Sequence, residues 1–301
     1  MTTVAFVGLG IMGGPMAGNL VKAGFDVVGY NRSPRKTDAL VARGGRAASS
    51  VAEAVAAADV IATMLPDSPD VCAVFEGAGD SEDGSGGTGG VFAHARPGTL
   101  VIDFSTIRPD VSARLAEEGR RRGLRVLDAP VSGGEQGAIE AALSIMVGGE
   151  AADFTAAESV FAALGRTVVH VGPAGAGQTV KAANQLMVAG HLELLAEAIV
   201  FLEAHGVDTE AALRVLGGGL AGSTVLMRKG PGMLARDFKP GFRVELHDKD
   251  LGIVTAAARE AGVVIPLGAA VAQLVASLKA QGQGGLDHSA LLKLVEQLSG
   301  R

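Results

Sequence analysis

Lys181, Asn184 and Gln185 stand three and four residues apart in a run that reads as helix, which puts them on one face. An ammonium beside two carboxamides can hold a carbonyl oxygen and donate a proton to it as negative charge develops. A solvated first helical turn would carry the same residues, so their surroundings must decide. A second set, Ser132, Gly133 and Gly134, follows a strand-like segment and precedes a helix beginning near Glu135. Two glycine amides and a hydroxyl are good donors for a carboxylate or another small anion, although a plain strand-to-helix turn would look similar. A third set, Gly8-Leu9-Gly10-Ile11-Met12-Gly13, is a glycine-rich turn of the kind whose amides and following helix can face a pyrophosphate.

The elements that must carry these residues follow from periodicity. Thr3–Val7 is a short β-rich apolar run, the glycine turn follows at once, an amphipathic pattern covers residues 16–22, and Asp26–Tyr30 reads as a second strand. A GxGxxG between a strand and a helix, with another strand beyond, is the context dinucleotide binding requires. A ligand-free turn remains the alternative. Further strands are expected at residues 59–64, 100–104, 124–128, 143–147 and 167–171, separated by helical patterns. That alternation predicts a Rossmann-type, doubly wound parallel α/β sheet with ligands at the carboxyl ends of its strands. Residues 77–90 are rich in Gly, Ser and acidic side chains and read as a mobile surface loop. Residues 172–204 open on a Gly-rich turn and continue as the longest helical pattern, a spine between two domains. Everything beyond it reads as helical. The expected division is a dinucleotide domain at 1–171 and an all-α domain at 172–301.

The end of the second strand bears on which dinucleotide binds. A carboxylate there would accept from the adenosine ribose hydroxyls and favour NAD. This chain has Asn31-Arg32-Ser33, followed by Arg35 and Lys36. Asn31 removes the charge that would repel a 2′-phosphate, and Arg32 offers a planar donor fork suited to one. NADP is therefore the preferred expectation; in the alternative, Arg32 only stacks on adenine and NAD still binds.

Composition narrows the classes. The 301 residues have room for two domains, and 48% hydrophobic content is ample for their cores. No apolar run approaches the ~18–20 residues of a membrane span, and the N-terminus lacks a basic region, so a cytoplasmic protein is expected. A net charge of −6, no Trp and one Tyr give no basis for binding nucleic acid or an acidic membrane. Cys72 is the single cysteine, and neither it nor His247 or His288 has partners at metal spacing, so no metal is expected.

Four ordered motifs carry a resemblance that covers essentially the whole chain. The turn at Gly8–Gly13 with its extension to Leu20, the segment Asp128-Ala-Pro-Val-Ser-Gly-Gly134, the segment Gly175-Ala-Gly-Gln-Thr-Val-Lys-Ala-Ala-Asn184, and Lys249-Asp250-Leu251 together resemble the β-hydroxyacid dehydrogenases. The resemblance implies a Rossmann domain followed by a helical domain, with Lys181 as catalytic acid and base and Asn184 beside it. It implies that Ser132, Gly133, Gly134 and Asn184 hold a small oxo or hydroxy acid. Leu65, Pro66, Thr106 and Lys249 fall where the family contacts its nicotinamide cofactor, with Asp250 orienting Lys249. Homodimers or homotetramers are implied as well. The helical half is more similar to the branch that reduces tartronate semialdehyde (2-hydroxy-3-oxopropionate) to glycerate than to the 3-hydroxyisobutyrate branch. A 3-hydroxyisobutyrate or broad β-hydroxyacid enzyme stays open, as does a dinucleotide-binding module without chemistry. Lys181 argues against an imine reductase, which shares the architecture.

Overall fold

A computed structural model describes residues 1–77 and 89–301. Most of the segment expected to be a mobile loop lies outside the described residues. Close contacts divide the chain into two compact units, Met1–Lys181 and Ala182–Arg301.

The first unit is built on nine strands: β1 (Thr3–Val7), β2 (Asp26–Tyr30), β3 (Arg46–Ala47), β4 (Val60–Thr63), β5 (Leu100–Asp103), β6 (Arg125–Asp128), β7 (Val131–Ser132), β8 (Leu143–Gly148) and β9 (Gly165–Gly172). Their order is β3-β2-β1-β4-β5-β6-β8-β7, with β9 also on β8. The strands from β3 to β6 are parallel, and the order reverses between β1 and β4, where a doubly wound sheet opens a crevice. Helices cover both faces because successive strand residues point to opposite sides. Val4 and Phe6 of β1 join Leu20, Ile102 and Leu127 in one core, and Ala5 joins Ile61, Val101 and Phe75 in the other.

The doubly wound sheet is parallel from β3 to β6 and mixed at its far side. β8 runs antiparallel to both β6 and β7, and β9 is parallel to β8. The link from β7 to β8 contains only the short helix Gly134–Ile139, and so brief a return lacks the length of a parallel crossover. Two-residue β3 and β7 are too short to leave a period in the sequence.

The second unit packs the helices Thr209–Gly217, Thr224–Leu234, Val244–Glu260, Pro266–Leu278 and Leu291–Leu298 against the long helix Ala176–Ala204. Asp208 and Ser223 cap two of them, accepting from the amides of Ala211 and Leu226. The expected boundary at 171/172 precedes the long helix, whereas packing assigns that helix to the first unit as far as Lys181. The long helix also amends the reading of apolar runs. It holds an 18-residue window of mean hydropathy 1.5, enough by composition to cross a membrane. Ala189, Leu192, Leu195, Ala196 and Ile199 of this helix are buried in the cores of the second unit, as expected of a core helix.

Candidate active site

The glycine turn lies at the carboxyl end of β1, and its three glycines answer to different demands. Gly8 has φ +98, and a Cβ there would stand 2.3 Å from the Met64 carbonyl oxygen. A Cβ on Gly13 would stand 1.9 Å from the carbonyl oxygen of Gly8. Packing forbids a side chain at both. Gly10 is exposed, and a Cβ there would meet nothing within 4 Å. Among the described residues nothing requires glycine at this place, whereas close approach of a pyrophosphate would. The helix Gly13–Lys22 that follows has no side-chain cap and no acidic residue in its first turn, so its positive end is open to an anion. These residues fit a dinucleotide.

The neighbouring strand ends bring the other expected cofactor residues to the same edge. Asn31 follows β2, Leu65 and Pro66 lie just beyond β4, and Thr106 just beyond β5; these strands stand side by side with β1. Asn31 is bound into the turn, with Oδ1 accepting from the Leu9 amide at 2.9 Å and Nδ2 donating to the Ser33 carbonyl at 3.2 Å. Arg32 and Ser33 are exposed beside it, as is Ile11, while Met12 is half-buried. The Leu65 amide donates to Ser105 Oγ at 2.9 Å. Below these loops Asp103 is buried, accepting from Thr63 Oγ1 at 2.7 Å and the Ser105 amide at 3.0 Å, while Oδ2 has no partner among the described residues. Burial pushes this carboxyl above its ordinary range, against the pull of those hydrogen bonds.

Lys181 is held by the first unit. Its Nζ donates to the Val131 carbonyl at 2.9 Å, and its side chain is 7% exposed. Val131 immediately precedes Ser132, so the ammonium is fixed beside the Ser132-Gly133-Gly134 turn. In that turn Gly133 has φ +136 and Gly134 φ +66, conformations that side chains resist. A Cβ at Gly134 would meet nothing within 4 Å. Farther back, the buried Asp128 carboxylate grips the start of the long helix. Its oxygens accept from the Gly175 amide at 2.8 Å and the Gln178 amide at 2.9 Å. Burial raises its pKa, and these helix-end amides work against that rise. Gln178 adds a second tie, donating to the Ser105 carbonyl at 2.8 Å and accepting from the Ile107 amide at 3.1 Å.

Asn184 and Lys249 belong to the second unit. Asn184 Nδ2 donates to Gln185 Oε1 at 2.8 Å, Gln185 Nε2 donates to Asp250 Oδ2 at 2.5 Å, and Lys249 Nζ lies 2.8 Å from Asp250 Oδ1. His247 Nδ1 is 3.0 Å from His288 Nδ1, with Phe242 edge-on to both rings. Asp287 beside them takes both hydrogen bonds of Lys229, at 2.8 and 2.9 Å. Burial opposes ionisation of Asp287, and the charges of His288 and Lys229 overcome it, holding the carboxyl well below the usual range. Sequence reasoning gave no role to Asp128 or Gln178, and it set Gln185 on the face of Lys181 and Asn184 without its tie to Asp250. An acidic residue closing a buried strand and an amide in the first helical turn were the available signals.

Comparison with known proteins identifies the family. Residues 3–172 match the NAD binding domain of 6-phosphogluconate dehydrogenase, and residues 175–295 match the NAD-binding domain of NADP-dependent 3-hydroxyisobutyrate dehydrogenase. The chain is 37% identical to the 2-hydroxy-3-oxopropionate reductase of Escherichia coli K12 over 296 residues, covering 98% of each. It is also 37% identical to the NAD-dependent L-serine dehydrogenase of Pseudomonas aeruginosa over the full length of both. The structure of Mycobacterium tuberculosis 3-hydroxyisobutyrate dehydrogenase with L-serine superposes with a TM-score of 0.86 at 36% identity, covering 98% of this chain and 99% of that one. With two family models spanning nearly all of its length and full-length relatives well above 30% identity, the chain belongs to the β-hydroxyacid dehydrogenase family of NAD(P)-dependent oxidoreductases.

Proposed function

We propose that this enzyme reduces tartronate semialdehyde to glycerate, reversibly, with NADPH preferred over NADH. The observation that carries the reading is the Lys181 ammonium fixed 2.9 Å from the Val131 carbonyl, beside the Ser132-Gly133-Gly134 turn. When bound, the dinucleotide supplies the hydride. The substrate carboxylate rests on Ser132, Gly133 and Gly134, whose hydroxyl and amides donate to it. Lys181 stabilises the growing charge on the carbonyl oxygen and gives it a proton, and Asn184 positions the substrate. Gly8 to Gly13 hold the pyrophosphate; Leu65, Pro66, Thr106 and Lys249 complete the cofactor site, with Lys249 steadied by its ion pair to Asp250.

The NADP preference rests on Asn31 and Arg32. Asn31 places no carboxylate at the end of β2, and its oxygen is turned to the Leu9 amide. The exposed Arg32 guanidinium next to it suits a 2′-phosphate. Arg32→Ala is expected to weaken NADPH binding about tenfold, the weight of one charge-assisted contact, while sparing NADH.

The specific observation for a second reading is the equal identity, 37%, to the Pseudomonas L-serine dehydrogenase. Initial rates on tartronate semialdehyde, methylmalonate semialdehyde, L-serine and 3-hydroxyisobutyrate, each with both cofactors, separate the two readings. Robust NADPH-linked reduction of tartronate semialdehyde supports the first; a dominant rate on L-serine or 3-hydroxyisobutyrate replaces it with the second or with a broad enzyme.

The reading extends to a homo-oligomer. Met187, Leu194 and Phe201 are exposed at seven-residue intervals on the long helix, with His191 and Glu197 placed symmetrically about Leu194. A second copy crossing antiparallel at Leu194 sets Met187 against Phe201 of the partner subunit and His191 against Glu197 of the partner subunit, the self-complementarity a two-fold contact needs.

A further inference from the structure

The contacts among Asn184, Gln185, Asp250 and Lys249 have a direction. A carboxylate paired with an ammonium can only accept hydrogen bonds. Gln185 must therefore turn Nε2 to Asp250, which leaves Oε1 facing Asn184. Asn184 must in turn offer Nδ2 to that oxygen, so its own Oδ1 points away from Gln185. Rotating either amide sets oxygen against oxygen. Gln185 and Asp250 are 5% and 3% exposed, so solvent does not readily replace a broken link, whereas Asn184 is half-buried and reachable by a ligand.

We propose that Gln185 and Asp250 are positioning residues that hold the Asn184 carboxamide with its oxygen presented to substrate, making the enzyme select acids with an O–H or N–H donor on C2. The inference rests on Asn184 binding substrate, as set out above. In a three-carbon β-oxo or β-hydroxy acid, C1 is the carboxylate and C3 reacts, so C2 alone is free to carry a further donor. A hydroxyl or ammonium there satisfies Asn184 Oδ1. A methyl group leaves a desolvated acceptor unpaired, the situation in which polar sites discriminate strongly.

Two substitutions at Gln185 test the relay. Gln185→Met keeps the length and removes both hydrogen bonds. Gln185→Glu restores both when the introduced carboxyl is protonated, its O–H donating to Asp250 and its carbonyl accepting from Asn184; ionised, it still accepts from Asn184 and loses only the bond to Asp250. Asp250 favours that proton and the Lys249 ammonium opposes it; His247 Nε2 stands 3.4 Å from the main-chain oxygen of residue 185. The readout is the ratio of kcat/KM for glycerate to that for 3-hydroxyisobutyrate, with dinucleotide Kd measured alongside. The wild type is expected to favour glycerate by about tenfold or more, and Gln185→Met to lose that preference. Gln185→Glu is expected to keep it at about pH 5.5 and at about pH 8, because an acceptor for Asn184 Nδ2 remains in either protonation state, with Kd unchanged in both variants. A Gln185→Glu enzyme that matches Gln185→Met at every pH overturns the relay, as does an unaltered ratio in Gln185→Met. A wild type that oxidises both acids equally overturns the proposal and leaves the dehydrogenase reading standing. A wild type that binds cofactor but oxidises no member of the panel overturns both.

Discussion

Lys181 and Asn184 lie three residues apart on one helix, yet different units fix them by different means. The first unit anchors Lys181 through bonds between side chains and main chain, with Asp128 and Gln178 gripping the helix start and the Val131 carbonyl taking the ammonium. The second unit holds Asn184 through side chains alone, in the line Gln185, Asp250, Lys249. Bonds with a main-chain partner set the position of the helix end. Side-chain lines set an orientation and can be re-pointed by one substitution. In the same helix of the second unit Glu193 is buried, with Oε2 unpartnered among the described residues. One segment of the helix is thus over-determined and another carries an uncompensated group.

The largest effect is expected from breaking the first anchor. Asp128→Ala strips two buried amides of their acceptor and should cost about 2–5 kcal/mol in denaturant unfolding, with turnover falling as Lys181 loses its register. An unchanged midpoint and rate would show that the grip on the helix is dispensable.

Next comes Glu193, whose carboxyl is pushed up to about 7 by burial and by Glu197 one turn on. A carboxyl raised on folding binds more protons in the native state than in the unfolded chain. Its contribution is therefore neutral below the ordinary glutamate range, and stability declines as pH rises from there through about 7. The difference across that window is on the order of 3 kcal/mol. Glu193→Gln should flatten this part of the stability profile and raise Tm at pH above 7. A profile as steep as that of the wild type would assign the pH dependence elsewhere.

The smallest effect is expected from Gln178→Leu, which removes the ties to Ser105 and Ile107 while Asp128 keeps its hold. About 1–2 kcal/mol should be lost, with the glycerate to 3-hydroxyisobutyrate ratio unchanged, because that ratio depends on the second unit. A shifted ratio would mean that the two holds are not separable.

Much of this organisation was legible in the sequence because short-range patterns carry it. A strand, a glycine turn and a helix are contiguous, and the alternation that follows specifies a doubly wound sheet. Lys249 and Asp250 are adjacent, so an ion pair between them could be anticipated, and it measures 2.8 Å. The contacts that position the site join distant residues: Asp128 to Gln178 across fifty positions, Gln185 to Asp250 across sixty-five. No period marks such pairs, and a carboxylate that caps a helix looks like any strand-ending aspartate. The antiparallel turn of β8 was hidden for a related reason. Its residues read as a strand in either direction, and only the length of the connection decides.

The central claim is that Lys181 supplies the proton while the rest of the site binds. The most direct measurement compares single-turnover reduction of tartronate semialdehyde by wild type and Lys181→Ala, each preloaded with NADPH at matched occupancy. The expected result is a fall of about 10³-fold or more in the chemical step with NADPH affinity within about twofold of wild type. A mutant that binds NADPH and reduces the aldehyde at a rate near that of the wild type would contradict it.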